Sequence, residues 1–252
     1  MSMSDFREEI IIDKLSRCNY VLMVGAGKGG VGKSVISTLL ALKLSSMRKE
    51  IFLLDLDLHG SSIPSLLGIN YVVKESEKGF KPYEYNNRLE VMSLKFFIED
   101  KPAPLRGHYK DYVIKEILTL TNWKSKNVII DLPPGFSNEL LTIIKLVRKA
   151  NVKRGHLVIT NPSIISAEVV KKYMTLLKEL GEEIIGLVIN MAYMKYGNAV
   201  IRLGELRLGK EFQVLAELPY IPGIDNYLMR GVIPKELDKG LKPLISKIVP
   251  LF

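Results

Sequence analysis

The residues best suited to chemistry in this chain are clustered glycines, two lysines, a serine and three aspartates. Gly27-x-x-x-x-Gly32-Lys33-Ser34 lies within the stretch VGAGKGGVGKS, residues 24–34. Glycines at this density let successive backbone N–H groups curl around an anion without Cβ interference. The expected phosphate contacts are Gly27, Gly29, Gly30, Val31, Gly32, Lys33, Ser34 and Val35, with the Lys33 ammonium on the terminal phosphates and the Ser34 hydroxyl on Mg²⁺. Asp55 and Asp57 follow one apolar run, and both can address a metal ion or a water molecule. Asp131 closes another such run, where a carboxylate can accept hydrogen bonds from metal-bound water.

These groups need elements to place them. Tyr20–Val24 reads as a short buried strand, and Val35, Ile36, Leu39, Leu40 and Leu44 recur at helical spacing up to about Met47. The glycine loop therefore lies between a strand and a helix N-terminus, whose dipole favours anions. Residues 51–54, 89–94, 128–131, 156–160, 184–190 and 214–218 read as further strands. Helices are expected over 5–17, where packing on the sheet edge is the expected role, through Tyr109, Val113, Ile117 and Leu120, and over the stripe Val170, Tyr173, Leu177 and Leu180. Residues 70–88 are polar and aromatic and suit a peripheral loop or short hairpin. Alternating strands and helices imply a doubly wound, mainly parallel sheet with helices on both faces, and ligands at the carboxyl ends of its strands.

The loop wording GKGGVGKS, with Lys28 ahead of Gly29 and Gly30, resembles the deviant Walker A signature of the MinD/ParA/Mrp ATPases. The run Asp55-Leu56-Asp57 through Ser61-Ser62-Ile63-Pro64 and the sequence Asp131-Leu132-Pro133-Pro134-Gly135 are most similar to the Mrp/ApbC subgroup. The resemblance covers nearly the whole chain. It implies an Mg²⁺-dependent ATPase working as an ATP-controlled homodimer, with Lys28 reaching the partner's phosphates. It also implies that Asp57 orients the attacking water, that Asp55 supports the metal shell with Ser34 and Asp131, and that Asn190 reads the adenine edge. Pro219–Gly223 would wall the base pocket, and Arg106, heading a helix, is a weaker candidate near the phosphates. No Asn-Lys-x-Asp motif occurs, which favours ATP over GTP.

One departure bears on function. After Val188-Ile189-Asn190-Met191, proteins of the Mrp group usually carry a Cys-x-x-Cys pair that bridges an iron–sulfur cluster between subunits. Here the residues are Ala192-Tyr193-Met194-Lys195-Tyr196, and Cys18 is the sole cysteine of the 252 residues. Such clusters need thiolate ligands, typically four, so the sequence argues against a cluster held by this chain alone. A further comparison, with the membrane-targeting helix of MinD, fails on the sequence. Leu237, Leu241, Leu244, Ile245 and Ile248 recur helically, but Gly240 and Pro243 interrupt them, so a core-packing terminal segment is expected.

Hydrophobic content of 47% and charged content of 25% describe an ordinary globular protein. The length suits one P-loop ATPase domain over 1–252. Apolar runs are too short for a membrane span, the first residues do not resemble a secretory signal, and one cysteine suits a reducing cytoplasm. The net charge of +9 leaves DNA open as a partner, although the bases are scattered. Two roles follow: an iron–sulfur-assembly-related or regulatory ATPase, and a partition or positioning ATPase that binds DNA or an unknown protein partner.

Overall fold

The computed structural model describes residues 5–57, 60–73, 75–76, 79–97, 107–206, 208–209 and 212–252. Arg106, His59, Arg207 and Lys210 lie outside the described residues. The elements in chain order begin with α1 (Phe6–Ser16), β1 (Tyr20–Gly25), α2 (Lys33–Ser46), β2 (Ile51–Asp55) and α3 (Ile63–Leu66). A ribbon of β3 (Glu75–Ser76) and β4 (Gly79–Phe80) precedes β5 (Tyr83–Asn86) and β6 (Leu89–Ser93). Next come α4 (Gly107–Leu120), β7 (Asn127–Asp131), α5 (Asn138–Lys149), β8 (Arg154–Thr160) and α6 (Ile164–Glu179). The chain closes with β9 (Ile184–Tyr196), β10 (Ala199–Arg202), β11 (Val214–Pro219), α7 (Ile224–Leu228) and α8 (Lys235–Ile248).

Seven strands pair parallel in the order β6-β2-β7-β1-β8-β9-β11, and β5 and β10 join them antiparallel. β1, β2, β6 and β7 are buried along their whole length because helices cover both faces. α2 lies on β1, β2, β6, β7 and β8. α1, α4 and α5 pack on one another, so α1 joins a helical layer and does not pack on the sheet edge as expected. The carboxylate of Glu8 ties that layer together, with Lys115 of α4 at 2.8 Å and Lys149 of α5 at 2.8 Å.

The register sets the site. Cα partners across the sheet are Val24 with Asp131, Asp131 with Asp55, and Asp55 with Ser93. Three polar residues thus end three adjacent apolar strands at one level, beside the glycine loop.

Two expectations are corrected. β9 does not stop at Asn190 but runs on to Tyr196 and turns back through Gly197 and Asn198 into β10. Against β11, its pairing jumps from Ile189–Glu217 to Tyr193–Pro219, a bulge in which Met191 adopts φ 54°. The residues after Asn190 therefore form a hairpin that extends beyond the end of β8. Second, α8 runs unbroken through Gly240 and Pro243. Pro243 and Lys239 are both exposed, so the backbone carbonyl that loses its partner faces water. Leu237, Leu241, Leu244, Ile245 and Ile248 do pack in the core.

Candidate functional site

Residues 26–32 leave the buried end of β1 and enter α2 through Gly32, which caps the helix at φ 83° with no side-chain hydrogen bond. A Cβ at Gly32 would lie 2.1 Å from Asn190 Nδ2, so conformation and space both require glycine. Gly27 is held by close approach instead, because a Cβ there would meet Val169 Cγ1 of α6 at 2.7 Å. With no side chain capping α2, its first amides join the loop amides as free donors for an anion.

Around the helix start the polar side chains converge. Lys33 donates to Asp131 Oδ2 at 2.6 Å and stands 3.8 Å from Asp57 Oδ2. Ser34 donates to the same Asp131 oxygen at 2.6 Å. Ser37, one turn along α2, donates to Asp131 Oδ1 at 2.7 Å. Asp55 lies beside Asp131, and burial together with that neighbouring carboxylate raises its pKa above the ordinary range. Its Oδ2 accepts from Ser61 at 2.6 Å and from Ser93 at 3.0 Å. Asp57 lies beyond the end of β2, in a turn where its Oδ1 accepts the Gly60 N–H at 3.0 Å. Lys28 sits half-buried at the rim and makes no ion pair or hydrogen bond among the described residues.

The Pro-Pro-Gly segment is pinned to the same loop: Leu132 N donates to Val24 O at 3.0 Å and Gly135 N to Ala26 O at 2.9 Å. On the other flank Asn190 Nδ2 donates to Val31 O at 3.0 Å. A cleft of about 270 Å³ opens beside it, lined by Gly30, Gly32, Val35, Asn190, Met191, Pro219, Tyr220, Ile221, Ile224 and Leu237. Pro219, Tyr220 and Ile221 thus border the loop across the cleft, beside Asn190.

The structure therefore brings Gly27, Gly29, Gly30, Val31, Gly32, Lys33, Ser34, Val35, Asp55, Asp57, Asp131 and Asn190 to one end of the sheet, with Lys28 at the margin. The hydroxyls of Ser37, Ser61 and Ser93 were not expected there. The sequence marks them only by position, Ser37 three residues after Ser34 and Ser93 near the end of an apolar run, and neither mark sets them apart from other serines.

Ser34 and Asp131 offer hard oxygen donors 2.6 Å apart with Asp55 adjacent, a set that suits Mg²⁺ better than a soft metal. Among the described residues no group of three or more His, Cys, Asp or Glu is arranged to hold a metal ion by itself. Cys18 does not fit a cluster at this site. It follows α1 at the amino end of β1, the opposite end of the sheet, and burial raises its thiol pKa.

Comparison with known proteins agrees with this geometry. The cytosolic Fe-S cluster assembly factor Nubp2 homolog of Aedes aegypti is 38% identical over 184 residues, 71% of this chain and 71% of that protein. The nucleotide-binding protein of Archaeoglobus fulgidus, solved in complex with ADP, superposes with a TM-score of 0.73 at 28% identity, covering 89% of this chain and 91% of that one. The cell division ATPase MinD of Pyrococcus furiosus shares the fold at a TM-score of 0.63 and 21% identity, covering 93% of this chain and 100% of that one. A family model described as ParA, the NUBPL iron-transfer P-loop NTPases, matches residues 17–221, a span that holds every residue of the converging cluster. The matched span covers the glycine loop and the strand ends that carry the aspartates, and the chain belongs to the NUBPL iron-transfer P-loop NTPase family.

Proposed function

We propose that this protein binds and slowly hydrolyses Mg²⁺–ATP as a homodimer, and that the cycle serves iron–sulfur cluster assembly. The observation that carries the reading is the convergence of Lys33, Ser34, Asp57 and Asp131 at the mouth of a loop with free amides. Charge developing on a transferring phosphoryl group is stabilised by preorganised donors in a site largely screened from water. Lys33 is 6% exposed and Asp57 7%, so their interactions with a bound phosphate are little screened. Asp57 stands beside Lys33, where a carboxylate can orient a water for attack. Ser34 and Asp131 would hold magnesium, whose charge would offset that of the phosphates. Asn190 and the Pro219–Ile221 wall border the space for the base. Lys28, which pairs with none of the described residues, would be the residue that reaches across to a second copy.

The cargo step follows from the family and the names of relatives, not from ligands in this chain. With one cysteine at the far end of the sheet, a cluster handled by this protein requires thiolates from a partner. The site is tested by titrating Mg²⁺–ATP into folded protein in a calorimeter. Micromolar binding that disappears in Lys33→Ala is expected, and absence of heat in the wild type overturns the reading. The net charge of +9 supports a second role as a DNA-dependent partition ATPase. ATP-dependent, salt-sensitive DNA binding would select it.

A further inference from the structure

We propose that Ser93 is a positioning residue for the turn that carries Asp57, acting through Asp55 and Ser61. The proposal rests on the reading of Asp57 given above. Ser93 ends β6, and its side chain is fully buried. Its hydroxyl lies 3.0 Å from Asp55 Oδ2 and 2.6 Å from Ser61 Oγ, and it accepts the Lys95 N–H at 3.2 Å. Ser61 Oγ in turn lies 2.6 Å from the same Asp55 oxygen.

Asp55 therefore grips the turn at both ends. Its Oδ2 holds Ser61, and its Oδ1 accepts the Asp57 N–H at 3.2 Å. A carboxylate at the end of a strand can rotate about its side-chain bonds, so the grip is only as firm as the orientation of Asp55. Ser93 sits on the neighbouring strand in direct register with Asp55 and stays with the sheet, not with the turn. It thereby ties Asp55 and Ser61 to the sheet. Two residues on, Lys95 Nζ reaches Ser65 Oγ at 2.9 Å, a second tie from the end of β6 to the segment after Asp57.

Removing the Ser93 hydroxyl leaves the buried Asp55 carboxylate, the half-buried Ser61 hydroxyl and the Lys95 N–H with one partner fewer each, a situation polar groups resolve by moving. The movement falls on the turn, and Asp57 shifts relative to Lys33. Displacements near 1 Å are known to reduce rates by up to ~10²-fold. The phosphate contacts of α2 are untouched, so affinity is spared.

The experiment compares the full chain with Ser93→Ala, Ser61→Ala and Ser93→Thr, reading turnover, Mg²⁺–ADP affinity and hydrogen exchange at the Gly60 amide. In Ser93→Ala we expect Gly60 exchange faster by ~10-fold, kcat lower by ~10-fold and ADP affinity within about twofold of wild type. Ser93→Thr, which keeps a hydroxyl, recovers the slow exchange. Wild-type exchange and kcat in Ser93→Ala overturn the proposal. So does a loss of ADP affinity equal to the loss of rate, which marks general damage. Should Ser93→Ala not fold, Ser61→Ala at a half-buried position gives the same comparison, and unchanged exchange there is equally fatal. If wild-type protein does not turn over ATP, the proposed activity fails by itself, and Gly60 exchange still decides whether Ser93 holds the turn.

Discussion

At the scale of single residues, the centre of the site is a small set of charges, Lys33, Asp55, Asp57 and Asp131, each of which has a partner. Asp131 accepts from Lys33, Ser34 and Ser37, and three donors on one buried carboxylate fix its orientation. Asp57 shares Lys33 with it at longer range, 3.8 Å, and is the carboxylate proposed to act on water. Replacing it in Asp57→Ala should leave ATP affinity within a few-fold and lower turnover by ~10²–10⁴, the range for lost proton-handling. A steady-state assay beside a binding isotherm checks this, and wild-type turnover refutes the assignment. Gly32 has a different role, set by backbone alone. With φ 83° and Asn190 Nδ2 in the place of a Cβ, Gly32→Ala should destabilise the fold by ~1–2 kcal/mol and pull Asn190 from Val31. Urea denaturation reads the first effect, and a loss of at least ~10-fold in nucleotide affinity reads the second.

At the scale of elements, the strands carry the site and the helices fix its frame. Parallel strands buried on both faces can end in a charged residue only where a partner waits. Asp55, Ser93 and Asp131 stop their strands at one level for that reason. Farther off, α1 is fastened to α4 and α5 by Glu8, whose carboxyl is brought down to about 2 by Lys115 and then Lys149. A depressed carboxylate stabilises the fold fully above its ordinary 4.5, and that contribution is lost as pH falls from there towards 2. Glu8→Gln should therefore be less stable than wild type near neutrality, by about 1 kcal/mol given its partly exposed lysine partners. The gap should close in urea titrations taken down towards pH 2. A gap that stays constant with pH would assign the loss to packing.

At the scale of the whole molecule, the sheet separates two ends with different chemistry. The carboxyl end holds the loop, the aspartates and the cleft; the amino end holds Cys18, half-buried, its thiol pKa pushed up by burial. Lys28 lies on the rim of the first end without a partner among the described residues, and the proposed dimer would use it across the interface. Lys28→Ala should weaken an ATP-dependent dimer and its hydrolysis while a single subunit still binds nucleotide. Light scattering with and without Mg²⁺–ATP measures it, and an unchanged dimer rules out a contact in trans. Among the described residues no helix is long and apolar enough to cross a membrane.

The glycine loop, its two lysines and the aspartates closing apolar runs were legible in the chain, because anion binding by backbone needs residue types that few other structures require. The strand–helix alternation was legible for the same kind of reason: a strand buried on both faces and a helix packed on it each leave a periodic apolar signature. Which residues finish the site was not legible. Ser93 is an ordinary serine until register sets it against Asp55, and Ser37 is one until α2 turns it towards Asp131. The course after Asn190 was also hidden, since a bulge is decided by the strands on either side of it and not by the residues it contains. Local composition determined which atoms can bind a phosphate; contacts between segments distant in sequence decided which side chains hold those atoms still, because register and packing exist only between elements.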